Sequence, residues 1–375
     1  MRAYIFGVDC MIDRTVFLHI GINKTGTTAI QRYLSDHRNL LKSLGILYPQ
    51  TGLRGQAHYG LSATLGFQHK VVPEGEAVRR TCLKEQFINE VAGYAGAVLF
   101  SSEDFVLNKP VEQVKKFFDG CAVKVVVYLR RHDHWWESAY AQAVKMKVQP
   151  PWNPGIMGFV NFNRKKNKFY GKYRHLLDRW AEQFGKENIL VRPYEREQNQ
   201  PSLVFDLLTT IGMAHLVNEI PTDMPSENRS LSVLSIQLLD IFQRLRVEED
   251  VRLRLIEYAK DLPADECKRN LLNPDQRHRL IKENSQDYEY IAREYMGRSD
   301  GCLFTEPLPE LDPDWQAPPN PTPVEVAEAV VAALMGSINI STSSAKELDI
   351  CSREDTRPCL SKPMNMRRSL TSIDS

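Results

Sequence analysis

"FLHIGINKTGTTAIQRYL", Phe17 to Leu34, is an apolar run that ends in Gly-x-x-Lys-Thr-Gly-Thr-Thr and passes at once into a helical pattern. Val16, Phe17, Leu18 and Ile20 make the short, nearly continuous apolar stretch of a strand covered on both faces, which predicts a central parallel strand. Beyond Thr28, Ile30, Tyr33, Leu34, Leu41 and Leu44 recur at helical spacing until Gly45 offers a left-handed stop. The hydroxyl-rich turn therefore joins a strand to a helix N-terminus, where free backbone N–H groups and the positive end of the helix dipole meet. Lys24 adds a charge, Thr25, Thr27 and Thr28 add hydroxyls, and Gly26 allows close backbone approach. Singly these residues are a cap, a turn and a solvated charge. Together, after a strand, they point to a bound phosphate or sulfate.

The nucleotide-triphosphate loop, G-x-x-x-x-G-K-[ST], sets its lysine after the second glycine so that it reaches the β- and γ-phosphates. Gly21 and Gly26 have the matching separation, but Lys24 precedes Gly26. That placement argues against a typical ATPase.

Outward from this stretch, "AVLFS" (Ala97 to Ser101), "VKVVVYL" (Val123 to Leu129) and "NILVRPY" (Asn188 to Tyr194) read as further buried strands. Helical patterns near Glu85 to Tyr94, Val111 to Phe118, Trp135 to Lys147 and Tyr173 to Phe184 separate or follow them. This alternation predicts an α/β fold with a P-loop-like parallel sheet flanked by helices, and ligands beyond the C-terminal strand ends. After Pro201 the chain reads as mainly helical, over Leu203 to Ile211, Leu231 to Leu245 and Pro274 to Tyr295. A proline-rich connector (305–322) leads to a short apolar helix (323–337). From 341 to 375 serines, threonines and mixed charges lack apolar periodicity, so a disordered tail is expected.

With 375 residues, 42% hydrophobic and 25% charged, the chain has the composition of a globular protein that is not membrane-inserted. Its formal net charge of +1 gives no global field to recruit nucleic acid, so anion selectivity must be local. The seven cysteines are scattered and form no C-x-x-C pair, which predicts reduced thiols and no zinc site. Asp9 and Asp13 interrupt the N-terminal apolar residues and no later run reaches the length of a membrane span. A cytoplasmic location is the resulting expectation.

The third predicted strand ends in "YLRRHDHWWESAYAQAVK", where Arg130 and Arg131 leave the strand and Ser138 follows Arg130 by eight residues. An arginine fork with a nearby hydroxyl suits a phosphate dianion. Metal binding by His132, Asp133, His134 and Glu137 is not expected, because consecutive side chains at a strand-to-helix turn diverge and Asp133 more naturally begins the helix. Trp135 and Trp136 are expected in the core. The basic run "NRKKNKFYGKYR" (Asn163 to Arg174) reads as a solvated face that could also grip an acidic glycan, and "SENRSLS" (Ser226 to Ser232) as a helix start that could border an acceptor site.

"KTGTT" after a first strand, paired with the Arg130-to-Ser138 spacing after a later one, resembles the sulfotransferases that use 3′-phosphoadenosine-5′-phosphosulfate (PAPS). The wording "HIGINKTGTTAIQRYL", "LFSSEDF" and "FGKENILVRPYE" is most similar to bacterial sulfotransferase-domain proteins, over roughly residues 15–304 and weakly after Tyr194. The resemblance implies that Lys24, Thr25, Gly26, Thr27 and Thr28 hold the 5′-phosphosulfate and that Arg130 and Ser138 hold the 3′-phosphate. It further implies metal-free transfer of a sulfuryl group to a hydroxyl or amine of a carbohydrate or small molecule. The C-terminal Arg-Lys-Gly and Gly-x-x-Gly-x-x-Lys pattern of cytosolic small-molecule sulfotransferases is not found. Lys24 is the candidate for leaving-group charge. Glu103, just past a strand end, leads as general base, with His58 in "RGQAHYGL" as second candidate. The competing readings are a nucleotide kinase with a variant phosphate loop and a catalytically silent nucleotide-binding scaffold.

Overall fold

The computed structural model describes residues 14–68, 76–219, 221, 231–263 and 270–335. Five strands form one all-parallel sheet: β1 (Arg14–Ile20), β2 (Ile46–Leu47), β3 (Ala97–Ser102), β4 (Cys121–Leu129) and β5 (Ile189–Pro193), in the order β2-β3-β1-β4-β5. The motif-bearing strand is thus central, as its continuous burial demands. Between the strands lie α1 (Thr27–Asp36), α2 (Arg38–Ser43), α3 (Tyr59–Thr64), α4 (Glu76–Val91), α5 (Glu112–Phe117), α6 (His132–Met146), α7 (Ile156–Lys166) and α8 (Tyr173–Phe184). Among the described residues after β5 the elements are helices: α9 (Leu203–Thr210), α10 (Val233–Phe242), α11 (Glu249–Asp261), α12 (Pro274–Lys282), α13 (Ser285–Met296) and α14 (Pro323–Met335), with a short 3-10 turn besides.

Alternate residues of β1 serve opposite layers, as the pleat requires. Val16, Leu18 and Ile20 pack with Phe87 of α4, Trp136 of α6 and Trp180 of α8. Phe17 packs with Ile30 and Leu34 of α1 and with Val204 and Leu207 of α9. The first layer also takes in Ile281 and Ile291, which ties α12 and α13 to the sheet. A smaller cluster joins Leu238, Leu255, Ala329 and Ala333 of α10, α11 and α14.

Several sequence expectations change in detail. The helical pattern beyond Thr28 is two helices, broken at His37, and that over Pro274 to Tyr295 is two, broken at Glu283 and Asn284. Helices α7 and α11 and the two-residue strand β2 were not expected. Helix α6 begins at His132, with Arg131 rather than Asp133 at its cap. Residues 305–322 form no helix or strand, and the helix after them runs Pro323–Met335. Cys82, Cys121 and Cys302 are free thiols; Cys10, Cys267, Cys351 and Cys359, the tail from 341, the N-terminal stretch before Arg14, and residues 226–230 of "SENRSLS" lie outside the described residues.

Candidate anion-binding site

Register sets the site. Ile20 of β1 pairs with Ser102 of β3, so the loop leaving β1 and the turn that starts at Glu103 emerge side by side from the C-terminal sheet edge. On the other flank β4 runs past His19 to Leu129, and the Tyr194 N–H donates to the Leu129 carbonyl at 2.6 Å, carrying Arg130 and Tyr194 to the same edge.

The loop from Gly21 to Gly26 is fixed by its carbonyls. The Ile22 carbonyl accepts from the Thr25 hydroxyl at 2.6 Å and the Thr27 hydroxyl at 3.2 Å. Trp135 Nε1 donates to the Asn23 carbonyl at 3.2 Å and Arg130 Nη1 to the Lys24 carbonyl at 2.9 Å. The Gly26 carbonyl accepts the Ile30 N–H at 3.1 Å as the first bond of α1. By contrast, the amides of Asn23 to Thr28 donate to no acceptor among the described residues. Carbonyls held inward and N–H groups left free make a cradle for an anion.

Two glycines permit this geometry. A Cβ on Gly21 would come within 2.2 Å of the Thr27 side chain. Gly26, at φ 76°, has its Cβ direction filled by Leu203 at 2.3 Å and Tyr194 at 3.0 Å, so the missing side chain makes room for α9 and Tyr194 rather than for a ligand. Lys24 also lies in the left-handed region, at φ 70°, a conformation that costs a non-glycine residue about 1 kcal/mol. Backbone strain at a charged residue in a ligand-facing loop is characteristic of functional sites.

Lys24 Nζ donates to Gln142 Oε1 of α6 at 2.8 Å. Burial lowers its pKa, as do the neighbouring Lys145 and Arg130 charges, while Glu103 pulls it back up. Burial raises the Glu103 carboxyl, while the neighbouring Thr27 hydroxyl and the charge of Lys24 oppose the rise. Lys24, Thr27, Glu103, Arg130, Gln142 and Lys145 therefore share one site.

Arg130 keeps its guanidinium 5.5 Å from the centre of the Tyr194 ring, and its own carbonyl accepts from the Tyr173 hydroxyl at 2.7 Å. Ser138, Gln142 and Lys145 fall on one face of α6 by their i, i+4, i+7 spacing, the face from which Gln142 reaches Lys24, and no hydrogen bond joins Ser138 to Arg130. Thr28 is exposed, with its hydroxyl unbonded among the described residues, whereas Thr25 is buried and its hydroxyl is turned inward.

His58 stands apart. It is fully buried, its Nδ1 accepts the Ser101 N–H at 3.1 Å, and its Nε2 donates to the Pro49 carbonyl at 2.9 Å. Burial pushes its pKa down to about 4. Both ring nitrogens are committed to backbone, which makes it a strut between β3 and the Pro49 turn. Asp133 is likewise occupied, by Arg131 at 2.9 Å and Arg277 at 2.7 Å; the Arg131 and Arg277 guanidiniums hold its carboxyl down at about 2, against burial, which alone would raise it. The indole rings of Trp135 and Trp136 are buried.

Gln142 and Lys145 are the site residues that sequence reasoning missed. Their signal was the helical spacing from Ser138, visible once Ser138 is placed on the ligand-facing side.

No family model matches the chain. An uncharacterized protein of Archaeoglobus fulgidus is 28% identical over 226 residues, a match that covers 56% of this chain and 56% of that relative. The chain thus spans little more than half the length of the curated relative it matches. A sulfotransferase from Alicyclobacillus acidocaldarius superposes with a TM-score of 0.36 at 18% identity, over 62% of this chain and 95% of that one. At that TM-score the fold and the site rest on the chain's own geometry.

Proposed function

We propose that the chain is a sulfotransferase that moves a sulfuryl group from PAPS to an acceptor hydroxyl by in-line displacement. The observation that carries this reading is the Asn23–Thr28 cradle, its amides free and its carbonyls tied, with Lys24, Arg130 and Lys145 around it and a carboxylate, Glu103, beside it. The choice of a sulfuryl rather than a phosphoryl donor rests on Lys24 preceding Gly26 and on the family resemblance of the two motifs.

In this reading the acceptor oxygen bonds to sulfur as the bond between sulfur and the 5′-phosphate oxygen breaks. The leaving group is adenosine 3′,5′-bisphosphate. Charge gathers on its 5′-phosphate, where Lys24 Nζ and the loop amides meet it without reorganising. Glu103 takes the acceptor proton, its pKa, raised by burial, making it a stronger base than an ordinary carboxylate. The N–H groups of Arg130 not bonded to Lys24, with the Ser138 hydroxyl, hold the 3′-phosphate. Gln142 fixes the resting position of Lys24.

Calorimetric titration with adenosine 3′,5′-bisphosphate, against ATP with magnesium, tests the proposal. Tight metal-independent binding that Arg130→Ala weakens is the expected result. Preference for magnesium–ATP would move the site to phosphoryl transfer, and binding of neither would overturn both.

A further inference from the structure

The segment 167–172, between α7 and α8, leans on the cradle. Its Gly171 carbonyl accepts from His132 Nε2 at 2.6 Å, and the Tyr170 ring lies 5.2 Å from Trp135, the residue that ties Asn23. Beyond it, Lys168 Nζ sits 4.9 Å from the Phe169 ring, which stacks on His175 at 3.9 Å and 14°. His175 reaches Asn108 Oδ1 at 3.4 Å, and Arg179 donates to the same oxygen at 2.7 Å and to the Leu107 carbonyl at 2.8 Å. Leu107 and Asn108 follow directly on the turn that begins with Glu103. An arc of rings and cations therefore runs from the phosphate loop round to the candidate base.

The arc carries unmatched charge. Lys165, Lys166, Lys168 and Lys172 are exposed, and none is ion-paired with a described carboxylate. Nearby cations behave otherwise, Arg164 pairing with Glu283 and Arg174 with Asp178. On a chain whose net charge is only +1, this is a local concentration of positive charge, carried by the last turn of α7 and the segment that packs on Trp135.

We infer that this arc seats the acceptor and that the acceptor is an anionic saccharide, an assignment that rests on the transfer reading above. The lysines meet the acidic groups, and the stacked Phe169–His175 face offers a flat apolar platform for a sugar ring. The charge must be present on the acceptor before transfer, which favours carboxylate-bearing sugars.

The test measures binding of an oligogalacturonate and of an uncharged maltooligosaccharide of equal length to the whole protein, alongside adenosine 3′,5′-bisphosphate. The wild type should prefer the oligogalacturonate by about tenfold or more, with the preference shrinking as salt rises. Replacing Lys165, Lys166, Lys168 and Lys172 by Ser, all at exposed positions, should abolish that preference and leave nucleotide affinity unchanged. Equal affinity for the two saccharides, or a Ser variant that binds oligogalacturonate as the wild type does, overturns the inference even if the nucleotide binds. Saccharide preference without nucleotide binding would instead overturn the transfer reading and leave the arc as a saccharide-binding surface.

Discussion

Lys24 combines a left-handed backbone, a hydrogen bond to Gln142 and a lowered pKa, three constraints that an idle surface lysine does not carry. Lys24→Ala should lower turnover about a hundredfold or more while weakening adenosine 3′,5′-bisphosphate much less, because the charge it answers develops only as the bond breaks. Turnover and calorimetry on the same variant decide it, and equal losses would take Lys24 out of the transition state. Glu103 must be deprotonated to act, and its pKa is raised by burial, so activity should climb with pH through a midpoint above that of an ordinary glutamate. Lys24 must be protonated, and its pKa is lowered, so the alkaline limb should fall below that of an ordinary lysine. A pH–rate profile of the wild type reads both limbs, and Glu103→Gln should remove activity with nucleotide affinity kept. At this scale the sequence was informative where residues adjoin in the chain: Lys24, Thr27 and Thr28 declare themselves by following a strand. Gln142 and Lys145 do not, since their partner is 118 residues away in the case of Gln142. The inward turn of Thr25 was equally hidden, because a hydroxyl's direction is not written in its spacing.

Helix α6 holds the site together as an element: Trp135 ties Asn23, Gln142 holds Lys24, and the buried Asp133 anchors its first turn to Arg131 and Arg277. Asp133→Asn leaves the largely buried Arg277 guanidinium without its carboxylate and Arg131 with only the exposed Glu306, and should cost about 3 kcal/mol, measurable by urea unfolding. The wild-type pair contributes stability that is full above the ordinary aspartate range and is lost as pH falls through about 2. The strands were legible because burial on both faces writes nearly continuous apolar runs into β1, β3 and β4. The breaks at His37 and at Glu283 were not, since apolar periodicity continues across both. Helix α11 was missed for another reason: in "EDVRLRLIEYAKD" charged residues outnumber the apolar ones, and its apolar side chains are split between the main core, through Ile256 and Ala259, and the cluster with α10 and α14, through Leu255.

Across the molecule, His19, His58 and His132 are all fully buried or nearly so, each with its pKa pushed down by burial from 6.5 to about 4. They fold neutral. Below pH 6.5 the unfolded chain binds protons that the native chain refuses, so stability present above 6.5 should drain away as pH falls towards 4. Each histidine contributes about 3 kcal/mol to that loss at its lower end. Thermal melts across this range should show Tm falling well before most carboxylates titrate, and a flat Tm would mean that the rings accept protons in place. The parallel sheet, the helical second half and the site at the strand ends could all be read from element alternation, which is a property of the chain's order. What joins the C-terminal helices to the sheet layer could not, because it depends on pairs such as Asp133 and Arg277 that no local pattern links. The tethered carbonyls of the phosphate loop have one further consequence, which is kinetic. A loop already bound at Ile22, Asn23, Lys24 and Gly26 has no closing step to wait for, so capture of an anionic nucleotide should be set by diffusive encounter and should slow in proportion to solvent viscosity.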